Sequence, residues 1–167
     1  MNQQSAKAGE KRRFTLERTY QATLEEVWEL WTTKEGIEAW WGPDGFAVSV
    51  RKLELRAGGE LHYAMTAVDP PQIEFMKKAG MPVTTEARIT FTEVTPPTRL
   101  AYNHLADFMP GVEPYDVAIE IELEARGDSV FMRLTSDVMH DPVWTERALA
   151  GWTNEIGKLG KLLASRR

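Results

Sequence analysis

The segment VAIEIELEA, residues 117–125, alternates Val117, Ile119, Ile121 and Leu123 with Ala118, Glu120, Glu122 and Glu124. A period of two places the aliphatic set on one face of a strand and the carboxylates on the other. Such a strand belongs in an antiparallel sheet with one face in water and one face covered. SVFMRLTSDV (129–138) follows across Arg126-Gly127-Asp128 as the second arm of a hairpin. FAVSV (46–50), ELHYAMTAV (60–68), RITFTEV (88–94) and RLAYNHL (99–105) read as further strands, and RFTLERTY (13–20) as the first. The alternation of Phe46, Val48 and Val50 slips to Leu53 and Leu55, which predicts a bulge near Arg51-Lys52. The cover is supplied by VWTERALAGWTNEIGKLGKLL (143–163), a long helix capped by Asp141 with Pro142 in its first position. Its apolar stripe is Ala148, Trp152, Ile156, Leu159 and Leu163. Gly151, Gly157 and Gly160 interrupt it at about 1 kcal/mol each relative to alanine. That cost is repaid where helix and sheet approach closely, or where room must be left between them.

Between the first two strands, Thr23 and Glu26 form a capping box, and Leu24, Val27, Trp28 and Trp31 share one helical face. Gly36 is expected to break this helix, and IEAWW (37–41) to form a second short one. Trp40 and Trp41 point about 100° apart on a helix, so they cannot share one face. Gly42-Pro43-Asp44-Gly45 fits a type I turn. Residues 69–82, DPPQIEFMKKAGMP, predict a short helix after the proline pair in a connection longer than a hairpin requires.

With 167 residues, the chain is long enough for one domain with its own core. We read 1–12 as a disordered leader and 13–165 as the domain. The net charge of −5 argues against nucleic acid or an anionic membrane as partner. No apolar run is long enough to span a bilayer. The absence of cysteine excludes disulfide and thiolate chemistry and makes a cytoplasmic setting the default. Six Trp, six Phe, four Tyr and seven Met suit either a dense core or a core built around a space.

Strand parity directs Tyr63, Met65, Tyr102, His104 and Met132 to the covered face, where Phe46 and Trp152 join them. His104 is the candidate catalytic residue, because a histidine in an apolar space titrates near neutrality. The alternative is a hydrogen-bonded or solvated ring. Tyr63 and Tyr102 present hydroxyls either to a ligand or to neighbours within a core. Phe108, in the loop 105–116, is placed over the mouth of any space. His62, His104 and His140 offer no ligand-spaced pair, so neither a metal nor a cofactor is expected. No nucleophile elbow, phosphate loop or dinucleotide fingerprint is present.

VWELWTTKEGIEAWWGPDGF, LELRAGGELHYAM, EVTPPTRLAY and GWTNEIGKLGKLL, in this order, resemble successive blocks of the AHSA-type family, homologues of the activator of heat-shock-protein ATPase. That family lies within the START-like, helix-grip (SRPBCC) superfamily. The resemblance implies an α+β fold with two short helices after the first strand. About six to seven antiparallel strands would wrap a long C-terminal helix, with an apolar cavity between them. It also places the tryptophan pair at the cavity rim, with Trp40 and Trp41 divided between core and ligand space. The 69–82 insert departs from the family pattern and is read as a lid. Three functions follow as expectations. The first is binding of a small apolar or aromatic ligand, as carrier or sensor. The second is cyclase- or hydrolase-type catalysis without metal, in the same cavity. The third is a co-chaperone-like interaction. A homodimer is left open.

Overall fold

A computed structural model describes residues 12–167, so all of the expected leader except Arg12 lies outside the described residues. The order is β1 (Arg13–Gln21), α1 (Leu24–Thr32), α2 (Lys34–Trp40), β2 (Phe46–Leu53), β3 (Glu60–Ala67), α3 (Pro70–Lys78), β4 (Thr84–Thr95), β5 (Arg99–Ala106), β6 (Tyr115–Arg126), β7 (Ser129–Asp137) and α4 (Pro142–Ser165). The seven strands form one antiparallel sheet in the order β1-β7-β6-β5-β4-β3-β2. Because β1 and β2 are its two edges, the α1–α2 segment must run from one edge to the other. With α4 it closes one face. The protein is a helix-grip α+β fold.

The alternation in β6 produces the expected two faces. Val117, Ile119, Ile121 and Leu123 are buried, while Glu120 and Glu122 lie on the wet face in an ion-pair ladder. There Arg99 reaches Glu122 at 2.9 Å, and Arg133 reaches Glu17 at 2.9 Å. Exposed pairs of this kind contribute little each. The core lies on the other face, where Ile156, Leu159 and Leu163 of α4 are completely enclosed. Gly160 allows the closest approach: a Cβ there would meet the Tyr20 ring at 3.2 Å. The Tyr20 hydroxyl donates to the Ile156 carbonyl at 2.9 Å, tying β1 to α4.

Several local expectations hold. The Thr23–Glu26 capping box forms, and the bulge falls between Val50 and Lys52. Others require correction. Gly36 does not break a helix but lies within α2, which begins at Lys34 with Thr33 as its cap. A Cβ at Gly36 would sit 2.5 Å from the Glu29 carbonyl oxygen, so the glycine lets α2 press onto the end of α1. Trp41 is the residue after α2, not part of it. The turn spans Pro43 to Phe46, closed by Phe46 N–H donating to the Pro43 carbonyl at 3.1 Å. Gly45 is its third residue with φ of 87°, a type II rather than a type I signature. The proline pair opens α3 instead of preceding it.

Candidate functional site

A cavity of about 190 Å³ lies between the sheet and α4. Neighbouring strands supply its floor in register: Tyr102 of β5 pairs with Ile119 of β6, which pairs with Ser136 of β7, and His104 pairs with Val117 and with Ile89 of β4. Tyr63 of β3 extends the floor. The roof is one face of α4, formed by Ala148, Gly151, Trp152 and Glu155 at helical spacing. Trp41 closes the inner end, and Phe108 stands at the mouth, 55% exposed and 5.8 Å from the ring of Trp144.

The two adjacent tryptophans have different surroundings. Trp40 is enclosed in the core and donates through Nε1 to the Leu30 carbonyl at 2.8 Å. Trp41, released from helical geometry, turns its ring against Tyr63 at 5.3 Å and Tyr102 at 6.3 Å. It is 6% exposed, and Tyr102 is 2% exposed. Neither the indole Nε1 of Trp41 nor the hydroxyl of Tyr102 has a hydrogen-bond partner among the described residues. Leaving such a group buried and unpaired costs about 1–3 kcal/mol.

Sequence reasoning missed Glu155. Its carboxyl lines the cavity and is pushed up to about 7 by burial, while Lys158 and the Gly42 N–H partly oppose the shift. Lys158 Nζ donates to the Gly42 carbonyl at 2.6 Å, so α4 holds the residue that follows Trp41. A signal was present: Glu155 lies three residues after Trp152 and four after Gly151, on the edge of the apolar stripe. Burial raises the Tyr63 and Tyr102 hydroxyls well above their ordinary value, so both remain protonated. Burial also lowers His104, with Asp107 opposing, so its imidazole is neutral at physiological pH.

Among the ten side chains singled out, Trp41, Tyr63, Tyr102, His104, Phe108 and Trp152 line the cavity. Trp40, Phe46, Met65 and Met132 do not. Met132 has the inward parity but pairs with Leu123, toward the other end of the sheet from Ile119 and Ser136, and is part of the solid core. Met65 lies two residues beyond Tyr63 on the same face of β3, outside the cavity, and pairs with Val48. Phe46 is half-buried at the start of β2, and Trp40 is covered by Trp31 at 4.8 Å. No residue of 69–82 lines the cavity. Instead, the Gly45 carbonyl accepts Val68 N–H and Asp69 N–H, fixing the start of the insert beside the Pro43–Phe46 turn. Among the described residues no acidic or histidine cluster could hold a metal, and no helix is long and apolar enough to cross a membrane.

The model of the family described as Activator of Hsp90 ATPase homolog 1-like protein matches residues 21–164. No curated protein matches the sequence. Solved structures match throughout. Protein CV1439 from Chromobacterium violaceum is 20% identical with a TM-score of 0.74, covering 90% of this chain and 96% of its own. The AHSA1-like protein from Aeromonas hydrophila is 18% identical with a TM-score of 0.72, covering 93% and 94%. The AHSA1 protein from Silicibacter pomeroyi is 18% identical with a TM-score of 0.70, covering 93% and 100%. At these identities the likeness shows the fold alone.

Proposed function

We propose that this chain, which belongs to the Activator of Hsp90 ATPase homolog 1-like family, binds a small aromatic or apolar ligand in the cavity between the sheet and α4. The observation that carries this reading is a cavity of about 190 Å³ between sheet and helix whose wall is largely aromatic and aliphatic, with His104, Ser136 and Glu155 as its few polar members. The volume of about 190 Å³ suits a single ring with a short substituent, since an apolar cavity of about 150 Å³ takes up benzene. Burying roughly 300 Å² of ligand supplies a gross gain of about 7 kcal/mol. Association costs remove a large part, which leaves micromolar binding within reach.

Native mass spectrometry on gently purified protein tests the reading. A small molecule released on denaturation is the expected result. A chain that arrives empty and takes up no aromatic probe on titration would overturn it.

Catalysis in the same cavity is the second reading, favoured by one observation: Glu155, whose carboxyl burial pushes up to about 7, lines the cavity together with Tyr63 and Tyr102, a set suited to proton transfer. A cyclase- or hydrolase-type reaction would use Glu155, with His104, Tyr63 and Tyr102 as further proton-handling groups. The family description names activation of an Hsp90 ATPase. A chaperone-directed role ranks third, because the features bearing on function lie inside the cavity.

A further inference from the structure

We propose that the cavity takes a small aromatic amine, held as its ammonium by the Glu155 carboxylate. This rests on the cavity being a ligand site at all. Glu155 ends the row Ala148, Gly151, Trp152 and Glu155, the face of α4 that roofs the cavity. The residue is partly accessible, neither sealed in the core nor open on the surface. Its charge acts on the hydroxyls of Tyr63 and Tyr102, which lie on the sheet beneath. The carboxyl is therefore turned toward the space between helix and sheet, where all three residues line the cavity. No second group has to converge on it, because one carboxylate is enough to select the sign of a ligand's charge.

The surrounding groups leave a cation's place open. Lys158, one turn further along α4, acts on Glu155, but its Nζ is engaged by the Gly42 carbonyl at 2.6 Å. Neither lysine nor arginine lines the cavity, and Arg147 lies over the Trp144 ring at 4.9 Å, outside that lining. From the sheet come Tyr63, Tyr102 and His104, all neutral at physiological pH. Asp107, just after β5, acts on His104 and adds a second carboxylate there. Asp44, in the turn before β2, accepts from Asn154 of α4 at 3.4 Å. An anionic ligand would be desolvated beside a carboxyl, with no cation in the wall to offset it. A neutral ligand would leave Glu155 either ionised without a partner or protonated. An ammonium supplies the counter-charge, and the ring behind it meets an aromatic and aliphatic wall that includes Trp41, Tyr102 and Ile119.

An ammonium pairs only with the ionised carboxyl, which burial raises to about 7, so affinity should rise as pH rises through that value. Benzylamine, benzyl alcohol, acetophenone and benzoate, four probes sharing one ring, are titrated at about pH 6 and about pH 8, either side of that midpoint. Benzylamine, an ammonium at both, is expected to bind about tenfold tighter at the higher pH, following the ionised fraction of Glu155. There it should also bind several-fold tighter than benzyl alcohol or acetophenone, with benzoate weakest. Glu155→Gln should abolish the rise with pH. The backbone resonances of Gly151 and Trp152 should move as benzylamine binds, locating it under α4. Four results would overturn the proposal and leave the cavity reading standing: benzylamine no tighter than the neutral probes, an affinity flat with pH, a rise undiminished in Glu155→Gln, or tightest binding by benzoate. Failure of all four probes to bind at either pH would remove the cavity reading and this proposal together.

Discussion

The indole of Trp41 meets the ring of Tyr63 edge-on at 5.3 Å, joining the residue after α2 to the middle of β3. A single step along the chain separates this contact from Trp40, whose indole N–H is satisfied by Leu30 inside the core. The change from helical to extended backbone at Trp41 is what divides the pair, one ring for packing and one for the cavity wall. Lys158 donates to the Gly42 carbonyl at 2.6 Å, so the position of Trp41 depends on α4 as well as on α2.

Tyr102→Phe should stabilise the unliganded protein. It removes a hydroxyl that is buried and unpaired among the described residues while keeping the ring. We expect a gain of about 1 kcal/mol, or a Tm higher by about 2–4 °C. Thermal unfolding of the two proteins checks this. A loss of stability would mean that the hydroxyl is satisfied within the fold.

Glu155 should make the protein less stable as pH rises toward neutrality. Its folded value of about 7 lies above the ordinary 4.5, because burial disfavours the charged form. The unfolded carboxyl ionises first, so stability is full below about 4.5 and falls until about 7. Glu155→Gln, neutral throughout and still able to accept the Gly42 N–H, should gain on the wild type across that window. Urea unfolding at a series of pH values measures the difference. Parallel curves for the two proteins would show that Glu155 is not buried as described.

His104 should titrate below its ordinary 6.5, with burial as the cause. Its neutral form is the one the fold favours, so its contribution is complete above 6.5 and declines as pH falls. A two-dimensional imidazole titration by NMR reads the midpoint directly, and a value at or above 6.5 would contradict the burial. His104→Ala is also expected to weaken probe binding several-fold with the fold retained, as judged by circular dichroism.

Two glycine substitutions should have opposite signs. At Gly36 a Cβ would meet the Glu29 carbonyl oxygen at 2.5 Å and the Leu30 Cα at 2.7 Å, both backbone atoms, so Gly36→Ala should cost about 2 kcal/mol or more. At Gly151 a Cβ would meet nothing within 4 Å, so Gly151→Ala should gain about 1 kcal/mol from helix propensity alone. Urea midpoints for the pair decide it.

What was legible in the sequence depended on how local its cause was. The alternation in β6, the capping box at Thr23 and the slip at Val50–Lys52 are set by near neighbours, and all three appear as read. Gly36 was misread because its reason is tertiary: it permits contact with α1, which composition renders as a helix break. Parity chose the covered face correctly, but a strand face is longer than the cavity. Tyr102 and Met132 share inward parity and end in different environments, one on the cavity wall and one in the solid core. Glu155 escaped because a single glutamate at the edge of an amphipathic stripe reads as solvated. Only the turn at Gly42 and the wall behind it enclose it.

The central claim is that the cavity between sheet and α4 holds a ligand. It is tested most directly by titrating acetophenone into isotopically labelled protein, comparing the wild type with Ala106→Leu. Ala106 is buried on the cavity wall, and leucine there adds side-chain bulk at the wall itself. The account predicts saturable shifts at the Trp41 indole and at Tyr102, Ala148 and Gly151 in the wild type. In the folded variant the affinity should be at least about tenfold weaker, as lost burial of a ring implies. Absence of saturable shifts in the wild type, or equal binding by the variant, would contradict it.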